Sequence, residues 1–364
     1  MTNQLDRLVF RLLSQGVEEG VFPGAAAAVS WKCGASRKRC VAFSGIKDNL
    51  FPDEKVTEDT CFDLASLTKA LSTSLIIYSL VKEKKISITE RLEKFFNGDL
   101  PADKKNITIA QLLSHSSGLI DYKPYFKDFA PESSSKFKGE LLRLILAEPL
   151  VYKPGTRCLY SDFGFIILGT IIEKLSGENI EDSFAKYISD PVGVTDDIFF
   201  LPIPAEVDKK QFAATEDCPW RGRVIRAEVH DEHCWLTGGV SGHAGLFGRA
   251  GGVLQLCERI MEQWLESQNT FSWSGMLKPG LQRQYKDQTW CLGFDTPSTR
   301  GSSGGEFISA NSVGHLGYAG TSFWIDPDRE LIMVLLSNRV HPDRSNVKIR
   351  AFRPFFHTSV IKSL

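Results

Sequence analysis

A serine and a lysine three residues apart are the pair in this sequence best suited to chemistry. They are Ser66 and Lys69, and the apolar-periodic run that follows, 67–81, predicts a helix. On a helix this spacing places both side chains on one face, about one turn apart. A serine hydroxyl becomes a nucleophile when a base lies within hydrogen-bonding distance, and a buried lysine is such a base if it is neutral. We expect burial and the helix N-terminus to favour that neutral form.

The spacing alone is not specific, because Ser-x-x-Lys recurs, for example at Ser79/Lys82 and Ser183/Lys186. The context of Ser66 sets it apart, since an apolar, strand-like stretch at 61–64 precedes it and an apolar helix follows. The alternative for an isolated pair is a helix N-cap serine beside a solvated lysine.

Composition limits the possible function classes. The 364 residues, 42% of them hydrophobic, suffice for one large domain or two lobes that share a core. A formal net charge of -1 gives no overall field that would attract nucleic acid or an anionic membrane. The eight scattered cysteines are typical of reduced thiols. Neither a signal peptide nor an 18-residue apolar run is visible, although a trimmed leader would leave the same sequence; we therefore predict a cytoplasmic protein without a membrane span.

Both ends of the chain are predicted to supply strands. Two hairpins are predicted, one near each end of the chain: 25–31 with 40–44, and 321–326 with 330–337. Between the first two strands, 34–39 is predicted to be a basic, solvated turn. Helices are predicted at 3–19 and at about 345–361, the second kinked or interrupted by Pro354. Strands at both ends around a mainly helical middle predict one sheet completed by the two termini.

Two further motifs complete a recognisable set. Tyr160-Ser161-Asp162 precedes an apolar helix, and His315-Leu316-Gly317 lies near the C-terminus. With Ser66-x-x-Lys69 in front of them, they resemble the serine β-lactamase and penicillin-binding-protein superfamily, in its class C β-lactamase, DD-peptidase and esterase branch. The likeness extends from about 23 to 342, nearly the whole chain.

The resemblance implies an α+β fold of the β-lactamase/transpeptidase type, with an antiparallel sheet from both termini flanked by helices. It implies one catalytic unit, 1–364, made of two lobes. The sheet lobe would comprise about 1–69 and 236–364, and a mainly helical lobe would comprise about 70–235.

The resemblance also implies roles for individual residues. Ser66 would attack a carbonyl and form an acyl-enzyme, while Lys69 and Tyr160 share the proton transfers; which of the two is the general base stays open. The backbone N–H groups of Ser66 and Tyr318 would hold the oxyanion. The residues expected to contact the substrate or the oxyanion are Asp162, His315, Gly317 and Tyr318.

Two positions depart from the family pattern. Asp162 stands where β-lactamases of this branch usually have asparagine, and an ionised carboxylate only accepts hydrogen bonds. This argues against efficient penicillin recognition; the carboxylate would instead meet an amine or hydroxyl, or tune Lys69. His315 replaces the lysine of the commoner Lys-Thr-Gly, which the resemblance allows in DD-peptidases and esterases.

We therefore predict a serine hydrolase that needs neither metal nor organic cofactor and acts on a small molecule or short peptide. A carboxylic ester or small amide ranks first, a D-amino-acid-containing peptide second and a β-lactam third. A catalytically silent binding protein of the same fold is the alternative. We interpret the cluster 230–233, with His243, as a hydrogen-bonded loop lining the pocket, because its spacing is weak evidence for zinc. His115 is predicted to lie within the core of the helical lobe.

Overall fold

An antiparallel five-stranded sheet is the frame of the molecule. The computed structural model describes residues 2–96, 100–130, 136–266 and 270–364. Its strands are, in chain order, β1 (Gly24–Cys33), β2 (Ser36–Gly45), β3 (Phe62–Asp63), β4 (Ile198–Phe200), β5 (Asp217–Cys218), β6 (Arg223–Val224), β7 (Leu246–Gly248), β8 (Val313–Leu316), β9 (Ser322–Asp326) and β10 (Leu331–Ser337). The large sheet has the order β2-β1-β10-β9-β8, so both ends of the chain build it, as predicted.

Helices cover both faces of this sheet. The α-helices of the described residues are, in chain order, α1 (Thr2–Glu18), α2 (Leu75–Lys82), α3 (Ile109–Leu113), α4 (Lys136–Ala147), α5 (Asp162–Ser176), α6 (Ile180–Phe184), α7 (Asp190–Val192), α8 (Glu232–Leu236), α9 (Ala250–Glu266), α10 (Leu277–Gly280) and α11 (Ile349–Ser363). None of the helices in these segments combines the length and hydropathy that a membrane crossing requires.

The central strand β1 shows how the sequence separates the two faces. Successive side chains of a strand point to opposite sides of a sheet. Ala26 and Ala28 therefore belong to the large core shared with α2, α5 and α9, whereas Ala25 and Ala27 belong to a second core under α1 and α11. Small side chains let helices pack closely on both faces of this central strand.

The basic segment between β1 and β2 is where the sequence prediction is wrong. A two-residue turn at 34–35 replaces the predicted loop, and 36–39 continue β2. The arginines are paired instead of merely solvated: Arg39 Nε donates to Glu258 Oε1 at 2.8 Å, and Arg37 lies 3.6 Å from Glu330. The carboxylates of Glu258 and Glu330 thus pair with arginines that were expected to lie in a loop, and these arginines are part of strand β2.

Of the kink or interruption predicted at Pro354, the interruption does not occur. Helix α11 runs from Ile349 to Ser363 with Pro354 inside it. Phe352 and Phe356 on either side are both buried in the core under the sheet. Their packing holds the helix together where the proline removes a backbone donor.

Two glycines allow helix α5 to touch the loop that leads to β7. A Cβ added at Gly242 would lie 2.2 Å from the carbonyl oxygen of Phe165, and one added at Gly169 would lie 3.0 Å from the Gly242 nitrogen. The Gly242 carbonyl also accepts a hydrogen bond of 2.6 Å from Thr73 Oγ1. The contact is between two backbone segments, so no flexible side chain can move aside to make room for a larger residue.

We expect Gly242→Ala to lower the free energy of unfolding by about 1–3 kcal/mol, because the new methyl group overpacks a backbone contact. Gly251→Ala is the matched control: nothing lies within 4 Å of its added Cβ, and Gly251 is in helix α9. The free energy of unfolding of that variant should rise by about 0.5–1 kcal/mol, because alanine is favoured over glycine inside a helix. Chemical denaturation of both variants measures the difference, and equal stabilities would contradict the packing argument.

Candidate active site

Ser66 lies in a turn between β3 and a helical run, and buried side chains hold this turn in place. Asp63 accepts hydrogen bonds from the backbone nitrogens of Ala65, at 2.8 Å, and His230, at 2.7 Å. Ala65 adopts the left-handed conformation, with φ of 49°, which is uncommon for a residue with a Cβ. Thr68 Oγ1 donates to the Ala65 carbonyl at 2.6 Å and stabilises the turn. The serine is therefore presented by a constrained backbone.

Lys69 begins a π-helical segment, Lys69–Ser74, within the helical run 67–82. This confirms the predicted helix and adds a π-helical turn, a feature often found at functional sites. The lysine side chain is fully buried. Its Nζ lies 3.0 Å from Ser66 Oγ, 3.1 Å from the His243 carbonyl oxygen and 2.6 Å from Asp162 Oδ1. Three oxygens thus surround one ammonium.

The charge state of Lys69 differs from the expectation. Burial alone would lower its pKa, but the Asp162 carboxylate, with Tyr160, raises the pKa above the ordinary lysine value. The lysine is therefore an ammonium in the resting protein. Tuning of Lys69 is one of the roles that the sequence left open for Asp162.

Tyr160 sits in a cluster of aromatic rings. Its ring centroid lies 4.6 Å from that of His115, 5.3 Å from that of Trp290 and 6.1 Å from that of His315. Lys69 Nζ lies 5.0 Å from the same ring. Burial raises the pKa of Tyr160, although Lys69 and the Ser66 hydroxyl both act to lower it. The tyrosine is therefore held beside both residues of the Ser-x-x-Lys pair.

His115 is buried, as predicted. Its ring packs against Tyr160, and its Nδ1 accepts a hydrogen bond of 3.1 Å from the Ser161 nitrogen. Burial holds the pKa of His115 well below the ordinary value, so the ring is neutral. This histidine fixes the backbone that carries the tyrosine and Asp162.

His315 lies on β8, the edge strand of the sheet, and its side chain is buried. Burial, reinforced by the charge of Lys69, lowers its pKa to about 3. Its Nδ1 lies 2.9 Å from the Leu316 carbonyl oxygen, and its Nε2 has no hydrogen-bond partner among the described residues. A neutral imidazole thus stands where the commoner motif has a cationic lysine.

Gly317 brings this strand against the serine turn. A Cβ at Gly317 would lie 1.9 Å from Thr321 Oγ1 and 2.7 Å from the Leu64 carbonyl oxygen, so only glycine fits. Within the described segments, the backbone N–H groups of Ser66 and Tyr318 donate to no other protein group. Two unused donors therefore belong to the segments that Gly317 brings together.

A cavity of about 660 Å³ opens over these residues. Its walls include the predicted residues Ser66, Tyr160, Asp162, His315, Gly317 and Tyr318. Lys69 lies beneath them, so the structure brings all seven predicted site residues together. Sequence reasoning missed three groups of wall residues: Trp290, the pair Asp121 and Tyr122, and the arginines Arg339, Arg344, Arg350 and Arg353.

The histidine cluster forms a hydrogen-bonded wall of the cavity, as interpreted from the sequence. His243 Nε2 lies 2.8 Å from Asp231 Oδ1, and its Nδ1 lies 2.8 Å from Ser241 Oγ. His230 Nε2 lies 3.0 Å from Glu216 Oε2. These bonds hold the His243 carbonyl where it accepts from Lys69.

Charge is divided unevenly over the cavity wall. Arg344 is paired with Glu216 and Glu232. In contrast, Arg339, Arg350 and Arg353 make no ion pair with any carboxylate in the described ranges. Burial lowers the pKa of Arg353 to about 9, which leaves it charged at neutral pH. Three guanidinium groups without a carboxylate partner thus lie in a wall that also contains Asp121, Asp162, Asp231, Glu232 and Asp295.

Fold and site define a protein of the β-lactamase/transpeptidase type, and comparison with known proteins agrees. The family model described as Beta-lactamase matches residues 9–353. A protein of Escherichia coli (strain K12), provisionally named a D-alanyl-D-alanine carboxypeptidase, is 32% identical over 308 residues, covering 79% of this chain and 71% of that protein. The chain therefore belongs to the β-lactamase family and is a serine hydrolase of that family.

Solved structures show the same fold. A class C β-lactamase superposes with a TM-score of 0.75 at 15% identity and covers 100% of this chain and 99% of its own. EstCE1, a hydrolase with promiscuous acyltransferase activity, superposes with a TM-score of 0.73 at 19% identity. The match covers 97% of this chain and 99% of EstCE1.

The buried, neutral His315 predicts a pH-dependent stability. Below pH 6.5 the unfolded chain protonates this histidine, whereas the folded protein excludes the proton until about pH 3. The stabilisation is thus present above pH 6.5 and is lost as the pH falls toward 3. We expect His315→Asn to reduce the slope of unfolding free energy against pH in this window by up to about 1.4 kcal/mol per unit. Denaturation of both proteins from pH 7 to 4 measures it; parallel curves would contradict the assignment.

Proposed function

We propose that Ser66 is the nucleophile of an acyl-transfer hydrolase. The observation that carries the proposal is the 3.0 Å contact between Ser66 Oγ and the fully buried Lys69 Nζ, at the wall of the cavity. Attack of the serine oxygen on a substrate carbonyl forms an ester to the protein and releases the leaving group. Water then hydrolyses this ester.

Lys69 and Tyr160 are proposed to manage the proton of Ser66. An ammonium beside the serine oxygen favours the alkoxide that attacks, because opposite charges attract strongly in a buried site. Tyr160 is held at the same lysine and serine, and its hydroxyl is suited to pass its own proton to the leaving group while its oxygen takes the proton of Ser66. The family comparison supports these roles.

The oxyanion is proposed to bind the N–H groups of Ser66 and Tyr318. Both donors are unengaged by other protein groups of the described residues, and Gly317 draws their two segments together. Donors aimed at the developing charge in a site shielded from water stabilise the transition state by about 2.7–4 kcal/mol each.

The arginines without carboxylate partners change the ranking of substrates. Arg350 favours a substrate that carries a carboxylate, since guanidinium and carboxylate form paired hydrogen bonds. Arg339 and Arg353 donate to backbone carbonyls and add positive charge beside it. We therefore place a peptide ending in a D-amino acid first, in line with the printed name of the Escherichia coli relative. Neutral esters and small amides come second. Asp162 still argues against efficient recognition of β-lactams, which come third.

The cysteines support a proposed location in a reducing compartment such as the cytoplasm. All eight are free thiols, and six of them are buried. Burial raises the pKa of several, for example that of Cys291 to about 12, which keeps them unreactive.

Labelling with a fluorophosphonate tests the nucleophile. We expect one covalent adduct on the wild-type protein and none on Ser66→Ala, because only a serine beside a buried cation is activated. Ser79→Ala is the matched control: its lysine is also three residues away, but its hydroxyl donates to the Leu75 carbonyl at 2.9 Å. Intact mass and peptide mapping identify the labelled residue. An adduct that persists in Ser66→Ala would refute the assignment.

Arg350 offers a clean test of the carboxylate, because it is exposed and holds no backbone group through its side chain in the described residues. We expect Arg350→Ala to lower kcat/KM about tenfold for an N-acyl-D-alanyl-D-alanine peptide, mainly through KM, since one charged hydrogen bond contributes about 1.5 kcal/mol. The same peptide with an amidated C-terminus should show no change.

Lys362→Ala is the control for lost charge, because it removes a cation from the other end of α11, outside the cavity wall. An equal loss on the free and amidated peptides in Arg350→Ala would contradict carboxylate binding.

A further inference from the structure

Asp162 occupies a position from which it can reach the acyl group on Ser66 through one water molecule. Its Oδ1 lies 2.6 Å from Lys69 Nζ, and the same Nζ lies 3.0 Å from Ser66 Oγ. The distance from Oδ1 to Oγ therefore cannot exceed about 5.6 Å, the length of these two contacts end to end. Two hydrogen bonds of ordinary length span such a gap.

The carboxylate has accepting capacity left for that water. Its Oδ1 is buried against Lys69 as an ion pair, whereas Oδ2 receives no hydrogen bond from a protein group within the described residues and is the oxygen left for water. The side chain lines the cavity and is 21% exposed. An ionised carboxylate in such a place accepts hydrogen bonds from water.

The backbone holds Asp162 rigidly in this position. It is the first residue of helix α5, and Ser161 before it is tied on both sides. Ser161 Oγ donates to the Ile120 carbonyl at 2.6 Å, and the Ser161 nitrogen donates to His115 Nδ1 at 3.1 Å. A catalytic group needs this kind of support, because small displacements cost large factors in rate.

Two other carboxylates of the cavity wall are already engaged. Asp231 accepts from His243 and from the Cys234 nitrogen, and Glu232 is paired with Arg344. Asp162 is the cavity carboxylate that contacts Lys69 in the part of the chain that the structure describes. The carboxylate that contacts the lysine of the Ser-x-x-Lys pair thus also has an oxygen free to accept a hydrogen bond.

We propose that Asp162 is the general base that activates water in the second half of the reaction, the hydrolysis of the acyl-enzyme. The inference rests on the proposed function of Ser66. It assigns the position where β-lactamases of this branch have asparagine to a proton acceptor.

All protons of the proposed hydrolysis step are transferred between water and groups present in the site. The water oxygen forms a bond to the acyl carbon while one water proton moves to the Asp162 carboxylate. The bond between the acyl carbon and Ser66 Oγ then breaks, and Oγ takes a proton from the Lys69 ammonium. The protonated Asp162 returns a proton to the Lys69 amine. The product is the free acid, and the resting charges are restored.

Burst kinetics of Asp162→Asn with a nitrophenyl ester test the proposal. We expect the first turnover to remain and the steady-state rate to fall about 100-fold or more, because general-base catalysis contributes that much. The acyl-enzyme should then accumulate and be visible in the intact mass at Ser66. Hydroxylamine, which attacks esters without a general base, should restore turnover and release the hydroxamate.

Asp128→Asn is the control for the loss of a carboxylate, since Asp128 is exposed, lies outside the cavity wall and makes no ion pair with Lys69. Its steady-state rate should stay at the wild-type value without an adduct. Asp162→Ser replaces the asparagine variant if circular dichroism shows the latter to be unfolded.

Two results would overturn the assignment. One is deacylation by the asparagine variant at the wild-type rate. The other is a first turnover slowed in step with the steady state, without an adduct, since Asp162 would then act on acylation through Lys69. Failure of the proposed function differs from both, because wild-type turnover would then persist in Ser66→Ala.

Discussion

A single buried ammonium organises this active site. Lys69 is fully enclosed, yet it is charged, because a hydroxyl, a backbone carbonyl and a carboxylate lie within 3.1 Å of its nitrogen. A buried charge is tolerated only when it is paired and hydrogen-bonded. Each partner comes from a different segment of the chain, so the serine turn, the loop before β7 and the start of α5 must all be in place around it. The catalytic geometry and the folded structure thus both require that the charge of Lys69 be surrounded by these three partners.

The sequence predicts the frame of the fold well, because strands with buried residues and turn signals are local features. Both hairpins of the large sheet and the helix after Ser66 are confirmed. Errors occur where a distant partner decides the structure. Arg39 extends a strand because Glu258 lies beside it, and α11 passes through Pro354 because the surrounding phenylalanines are buried. The division of the chain into two lobes stays a prediction.

The same distinction applies to the site. The residues of the three motifs could be named from the sequence because their order and spacing resemble a known family, and the structure brings them to one cavity. The charge of Lys69 could not be predicted from the sequence. It depends on the distance to Asp162, which lies 93 positions away in the chain. Nor could the arginines of α11 be found, since an arginine on a helix face looks the same whether it faces solvent or a substrate. The charge state of a side chain and the direction it faces depend on neighbours that are brought together only by folding.

The pairing of β1 with β10 has a consequence for biosynthesis. Gly24 and Asn338, at the ends of these strands, are joined by a hydrogen bond across 314 positions, and the strand that meets the serine turn lies in the same late part of the chain. Such distant contacts form late, since the entropy of closing a long loop must be overcome first. A growing polypeptide can complete Ser66, Lys69 and Tyr160 on the ribosome, but it has neither the second oxyanion donor nor the arginines until its last strands emerge. The nascent chain therefore remains inactive toward its surroundings until folding is nearly finished.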